Sequence, residues 1–234
     1  MLLRCLFSRG FSWVHPLTIL LFGVGIGFNA IASINVTSLA DDGIKQWQEE
    51  SFVGNSTYNV VEYNNRLVLK AESDGTASGL VLKKRIDLLK TPYINWSWLT
   101  KNKLPAFDEK SKAGDDYVAR VYVVIDGGWM IWKSQSLSYV WSSNQNPGQV
   151  WDNAFVGDKV QMISVRGKQA KVNQWYTEKR NVYQDLIDHF GDKGSEKKNQ
   201  SAYRYIDVIA IMTDTDNSGS KAESYYSDII FSED

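Results

Sequence analysis

The sequence predicts an all-β chain, an antiparallel β-sandwich of jelly-roll type with one short helix. Three observations predict it. About ten runs of alternating apolar residues follow one another, with turn signals every eight to twelve residues. Helical spacing appears convincingly once, at Val182, Leu186, Ile187 and Phe190, with Gly191 to end it. No crossover helices separate the strand patterns, as a parallel α/β sheet would require.

Residues 1–32 read as a separate unit. Arg4 and Arg9 give a basic start, Leu17 to Ile34 is mostly apolar, and Ala30-Ile31-Ala32 has the small-residue pattern of a cleavage site. A secretory signal peptide is expected, with an uncleaved membrane anchor as the alternative. Residues 33–234 then form one domain, exported to the periplasm or secreted, touching the membrane only through the leader. The one cysteine, Cys5, falls in the leader, so the exported part has neither disulfides nor thiol chemistry.

Past the leader, Trp47 and Phe52 are apolar anchors of a lead-in segment. Tyr58 to Tyr63 and Leu67 to Glu72 read as a hairpin across Asn64-Asn65-Arg66. Gly79 to Leu88 is the next strand, and Tyr93 to Leu99 puts Ile94, Trp96 and Trp98 on one core-facing side. Lys101 to Asp115 is a polar loop. It leads into GDDYVARVYVVIDG, residues 114–127, a central strand with Arg120 in its middle. A guanidinium in so apolar a strand must find a carboxylate or another polar partner, because leaving it dry and unpaired costs several kcal/mol.

Ser136 to Ser142 follows as a strand, and Asn144 to Asp158 is a long loop whose Trp151 and Phe155 make it too aromatic for a plain linker. Val160 to Arg166 and Asn173 to Lys179 read as a pair across Gly167. Beyond the helix come a charged loop from Asp192 to Ser201, a strand buried on both faces from Tyr205 to Thr213, and a last strand from Glu223 to Phe231.

Composition excludes some functions. With 26 basic and 27 acidic residues and no basic run interleaved with aromatics, nucleic acid is not an expected partner. One histidine beyond the leader, His189, and no nucleophile elbow leave little for a triad or for zinc. Nine Trp and twelve Tyr serve a sandwich core, an interface or a sugar platform alike.

Two sets of polar residues stand out. Period two groups Asp116, Arg120 and Tyr122, with Asp115 beside them, as an anion or sugar-hydroxyl site or as an ion pair at a strand end. In WYTEKRN, Tyr176, Glu178 and Arg180 share a face, so Glu178 is a candidate partner for Arg120 across the sheet. A third feature, Asp214-Thr215-Asp216-Asn217-Ser218-Gly219, matches the first half of a calcium loop. Calcium at Asp214 and Asp216 is one reading; the twelfth position is Tyr225 rather than Glu, and an Asp-Asn-Gly turn explains the same letters.

The runs SGLVLKKRIDL, TPYINWSW, GDDYVARVYVV, LSYVWSSN, WYTEKRNVYQD and IAIMTDTDNSG, in this order, resemble the bacterial family of domain of unknown function 3047. The resemblance implies an exported envelope protein and no particular activity. A looser likeness to jelly-roll carbohydrate-binding modules is fold-level analogy.

The expected function is binding of a glycan or similar polar polymer on a concave sheet face. Trp141, Trp151 and Trp175 are the stacking candidates; Asp116, Arg120, Tyr122, Tyr139, Glu178 and Arg180 are the polar ones. A polysaccharide-degrading enzyme is the alternative, with Glu178 and Asp116 as an acid–base pair, or Tyr139 or Tyr225 abstracting a proton beside Arg120. A structural envelope protein is the third reading.

Overall fold

The computed structural model describes residues 33–234 except 129, 131 and 132, so the signal peptide expected at 1–32 lies outside the described residues. Here the period-two runs become fourteen strands in two seven-stranded sheets. The strands are β1 (Ser33–Asn35), β2 (Gln48–Val53), β3 (Thr57–Glu62), β4 (Leu67–Asp74), β5 (Ala77–Asp87), β6 (Tyr93–Thr100) and β7 (Ala119–Ile125). Then follow β8 (Gln135–Trp141), β9 (Val150–Asn153), β10 (Gly157–Arg166), β11 (Tyr176–Asn181), β12 (Tyr205–Asp214), β13 (Lys221–Tyr226) and β14 (Ile230–Ser232).

The first sheet runs β1-β14-β6-β13-β4-β3, with β11 on the other edge of β6; the second runs β2-β5-β12-β7-β8-β10-β9. The expected hairpin is β3–β4, and Asn64 and Asn65 both take the positive φ, 53° and 60°, that such a tight turn demands. The strand carrying Arg120 is β7, central between β12 and β8.

The sandwich closes on the inner faces. Leu69, Ile94, Trp96, Trp98, Tyr226 and Phe231 from the first sheet meet Val121, Val123, Leu137, Tyr139, Trp141, Ile209 and Ile211 from the second in one core. Each fully buried large side chain contributes about 1.5–3 kcal/mol. Because β7 buries Ala119, Val121 and Val123 in this core, Arg120, Tyr122 and Val124 point to the outer face of the second sheet, where Tyr122 and Val124 join a second apolar cluster with Met212.

Three expectations are corrected. Val160–Arg166 does not pair with the strand after Gly167: β10 lies in the second sheet, whereas β11 crosses to the first and pairs with β6. The pairing is not wholly antiparallel either, since β10 runs parallel to β8 while β9 folds back on its far side. And the helix α1 (Val182–Phe190) is followed by a second, α2 (Glu196–Tyr203), which begins inside the segment read as a charged loop. Among the described residues no helix is long and apolar enough to cross a membrane.

Candidate functional site

Arg120 meets its carboxylate on its own sheet. Asp214 ends β12, beside β7, and Arg120 grips it through Nε to Oδ1 at 2.9 Å and through Nη2 to Oδ2. Both side chains are buried. The guanidinium lies over the Tyr117 ring at 4.8 Å, and Tyr117 N–H donates to Asp214 Oδ1 at 3.3 Å.

One edge of the guanidinium is left over. Nη1 stands 3.8 Å from Asp115 Oδ1, beyond hydrogen-bond reach, and that Oδ1 is buried with no partner among the described residues. The other Asp115 oxygen accepts from Asn153 Nδ2 at 3.0 Å. Asn153 in turn accepts from the N–H groups of Phe155 and Val156, at 3.0 and 3.1 Å, and so fixes the loop that carries Phe155.

These groups line a cleft of about 100 Å³ on the outer face of the second sheet. Arg120, Tyr122, Met212 and Asp214 form its floor, Phe52 and Val53 one wall, Phe155 and Val156 another, with Asp115, Asp216 and Asn217 among the polar lining. Phe155 is exposed. Burial pushes the Asp115 carboxyl up, against the pull of Arg120; burial and then the charge of Asp116 push Asp216 up. The Tyr122 hydroxyl is also raised by burial.

The candidates picked from the sequence divide accordingly. Arg120, Tyr122, Asp214 and Asp216 line the cleft. Asp116 precedes β7 and turns to the loop beyond β12, accepting from Asn217 N and Nδ2, both at 3.1 Å, and from Ser218 N at 2.7 Å. Trp151 lies on the same outer face but is buried against Tyr117, with ring centroids 6.5 Å apart.

The others lie elsewhere. Tyr139 and Trp141 face the inter-sheet core, because the parity of β8 sends Leu137, Tyr139 and Trp141 inward. Trp175 sits on the outer side of the first sheet with Tyr63 and Tyr225, under the Arg66 guanidinium at 5.3 Å. The three tryptophans therefore share no platform.

Glu178 and Arg180 do share a face, but their partners are not Arg120. Glu178 accepts from Trp98 Nε1 at 2.8 Å and from Arg166 Nη2 at 2.9 Å, joining β11 to β10 across the sandwich. Arg180 Nε donates to Asp185 Oδ2 at 2.9 Å, which also accepts from Tyr139 at 2.8 Å. Arg120 is on the outer face and Glu178 is buried where the two sheets meet. The Glu178–Asp116 acid–base pair and the Tyr139–Arg120 pair are thus not assembled, and Tyr225 is likewise spent on Glu223 at 2.6 Å.

Asp116, Asp214 and Asp216 bring carboxylate oxygens within 4.8 Å of one another, a spacing that a hard cation could use. Their oxygens are largely spoken for. Asp214 is held by Arg120 and Asp116 by loop N–H groups, so the calcium-like letters act here chiefly as a turn capped by Asp116.

The polar loop before β7 is pinned by a residue the sequence did not single out. Glu109 is fully buried and accepts from Ser142 Oγ, from Ser143 N at 2.8 Å and from Asn144 N at 3.2 Å. Desolvation raises its carboxyl above the ordinary 4.5, in spite of those hydrogen bonds. The stability tied to this group is therefore full below 4.5 and lost as pH rises through the higher native value. Glu109→Gln is expected to flatten that part of the stability curve, gaining on the wild type as pH rises. Urea unfolding at several pH values from 4 to 8 checks it, and parallel curves for the two proteins would refute it.

Residues 45–230 match the family described as Protein of unknown function (DUF3047). The chain belongs to DUF3047. The resemblance carried by the strand motifs is thus borne out, and the match reaches from the segment before β2 into β14. No curated protein matches this DUF3047 member. Among solved structures it is similar to the xyloglucanase domain of NopAA, a type three effector from Sinorhizobium fredii in complex with cellobiose. Identity there is 11%, with 80% of this chain and 92% of that one covered and a TM-score of 0.42. A thermostable cellulase derived from that of Rhodothermus marinus is 9% identical over 87% and 100% of the two chains, with a TM-score of 0.40. The K1 cleaved adhesin domain of Lys-gingipain from Porphyromonas gingivalis is 11% identical over 86% and 97%, at 0.34. These likenesses carry no argument about the cleft.

Proposed function

We propose that this DUF3047 protein is an exported saccharide-binding protein that holds a sugar in the cleft over Arg120. The observation that carries the reading is the pair of unused polar atoms there: a donor, Arg120 Nη1, and a buried acceptor, Asp115 Oδ1, set 3.8 Å apart. A hydroxyl both accepts and donates, so one hydroxyl can take a hydrogen bond from Nη1 and give one to Oδ1. The apolar walls at Phe52 and Phe155 suit the C–H faces of a sugar ring.

Asp115→Ala removes the acceptor and leaves the Arg120–Asp214 pair in place. The lost hydrogen bond to a charged group is worth about 1.5–3 kcal/mol, which is roughly a tenfold to hundredfold loss of affinity. Calorimetry against neutral oligosaccharides of glucose and of N-acetylglucosamine, with thermal unfolding as a control for folding, reads it. The reading falls if the wild type binds no oligosaccharide, neutral or charged, or if Asp115→Ala binds as well as the wild type.

A hydrolytic role has one observation behind it, the two raised carboxyls of Asp115 and Asp216 in one cleft, since a raised carboxyl is what a general acid needs. New reducing ends on incubation with the bound polymer would establish it.

A further inference from the structure

We propose that the saccharide carries a free, protonated amine, and that Asp216 is the group that selects it; this rests on the saccharide reading of the cleft. The lining holds three carboxylates, Asp115, Asp214 and Asp216, against one cation, Arg120. Arg120 and Asp214 neutralise each other in their two-point contact. Asp115 has only this same Arg120 near it, at 3.8 Å, and no basic side chain in the lining pairs with Asp216.

Asp115 shows that the cleft is built for something to enter: it is 6% exposed, and its Oδ1 has no partner among the described residues. Asp216 adds the charge. One of its oxygens accepts the Asn217 side-chain amide at 3.2 Å, and the other accepts no side-chain hydrogen bond among the described residues. Asp116 stands close by with its own negative charge. Lys112 places its ammonium over the ring of Phe155 at 5.6 Å and is not part of the lining.

Three carboxylates against one guanidinium leave the cleft with an excess of negative charge, which favours cations and repels uronic acids, sulfates and phosphates. Two kinds of cation would answer them. A calcium ion needs six to eight oxygens, and those of Asp214 and Asp116 are already committed to Arg120 and to the loop. An ammonium has three donors to place, and it comes tethered to a ring whose hydroxyl can bridge Arg120 and Asp115.

The experiment compares glucosamine oligomers with N-acetylglucosamine oligomers of equal length, and includes the diamine putrescine and calcium ion as separate probes. Calorimetry on the wild type is expected to show at least tenfold tighter binding of the deacetylated oligomer. Asp216→Asn is expected to bring the two oligomers to equal affinity, with an unaltered thermal midpoint confirming the fold. Equal binding of both oligomers by the wild type, or a preference that survives Asp216→Asn, overturns the amine while the saccharide reading stands. Binding of putrescine with no oligomer bound sinks the saccharide reading and keeps the amine site. Calcium binding that depends on Asp216 and competes with the oligomer overturns the proposal in favour of a metal, and no binding by any probe overturns both.

Discussion

Arg120→Ala is expected to destabilise the protein by about 3–5 kcal/mol, the cost of stranding one partner of a buried ion pair. Asp214 is 1% exposed, and without the guanidinium its carboxylate would keep only the Tyr117 N–H among the bonds described above. A loss of that size is a large share of the roughly 5–15 kcal/mol that holds a domain folded. Arg120→Met with Asp214→Leu is expected to recover most of it, since a buried pair replaced by apolar groups of similar volume is often neutral. Urea unfolding of the two single variants and the double variant gives the coupling directly. A cost below about 1 kcal/mol for Arg120→Ala would refute the expectation, because it would mean that water reaches Asp214 freely.

This pair also shows what the sequence could and could not tell. That Arg120 needed a carboxylate followed from its place in an apolar strand, and period two correctly put Tyr122 beside it. Which carboxylate was not legible, because it depended on which strand lies beside β7. Glu178 and Asp214 both stood at the ends or in the middle of plausible strands; only the order β12-β7-β8 decides for Asp214. The same gap misplaced β11, whose chain crosses between sheets after a turn that reads like a hairpin. Alternation gives the side of a strand, not the neighbour across it.

Helix α2 escaped for another reason. Its sequence, EKKNQSAY, buries only Asn199 and Tyr203, so it has no apolar stripe to detect. The signal that was there is the cap: the Ser195 side chain accepts from Lys198 N, with Glu196 in the first turn. Conversely, the loop from Asn144 to Asp158 was marked by its aromatics, and it does supply Phe155 to the cleft wall. Asp115 was in view only as a neighbour of Asp116. Its unused oxygen is a product of tertiary packing, with Asn153 on one side and Arg120 on the other.

Trp141→Ala is expected to cost about 3–5 kcal/mol and to leave the affinity of the folded protein for any saccharide unchanged. The indole is fully buried, edge-on to Trp98 at 5.8 Å and to Tyr176 at 5.3 Å, so truncation opens a cavity where both sheets meet. Trp141→Phe should cost much less. It keeps a ring in the slot and deletes the Nε1–H, which is buried without a partner among the described residues and therefore carries a desolvation penalty of about 1–3 kcal/mol. Thermal and urea unfolding order the variants, and calorimetry on the folded fraction measures binding. If Trp141→Ala instead left stability within about 1 kcal/mol of the wild type and abolished binding, the ring would have to be open to a ligand. The inward parity of β8 would then be wrong, and with it the placement of Arg120 on the opposite face of the sheet.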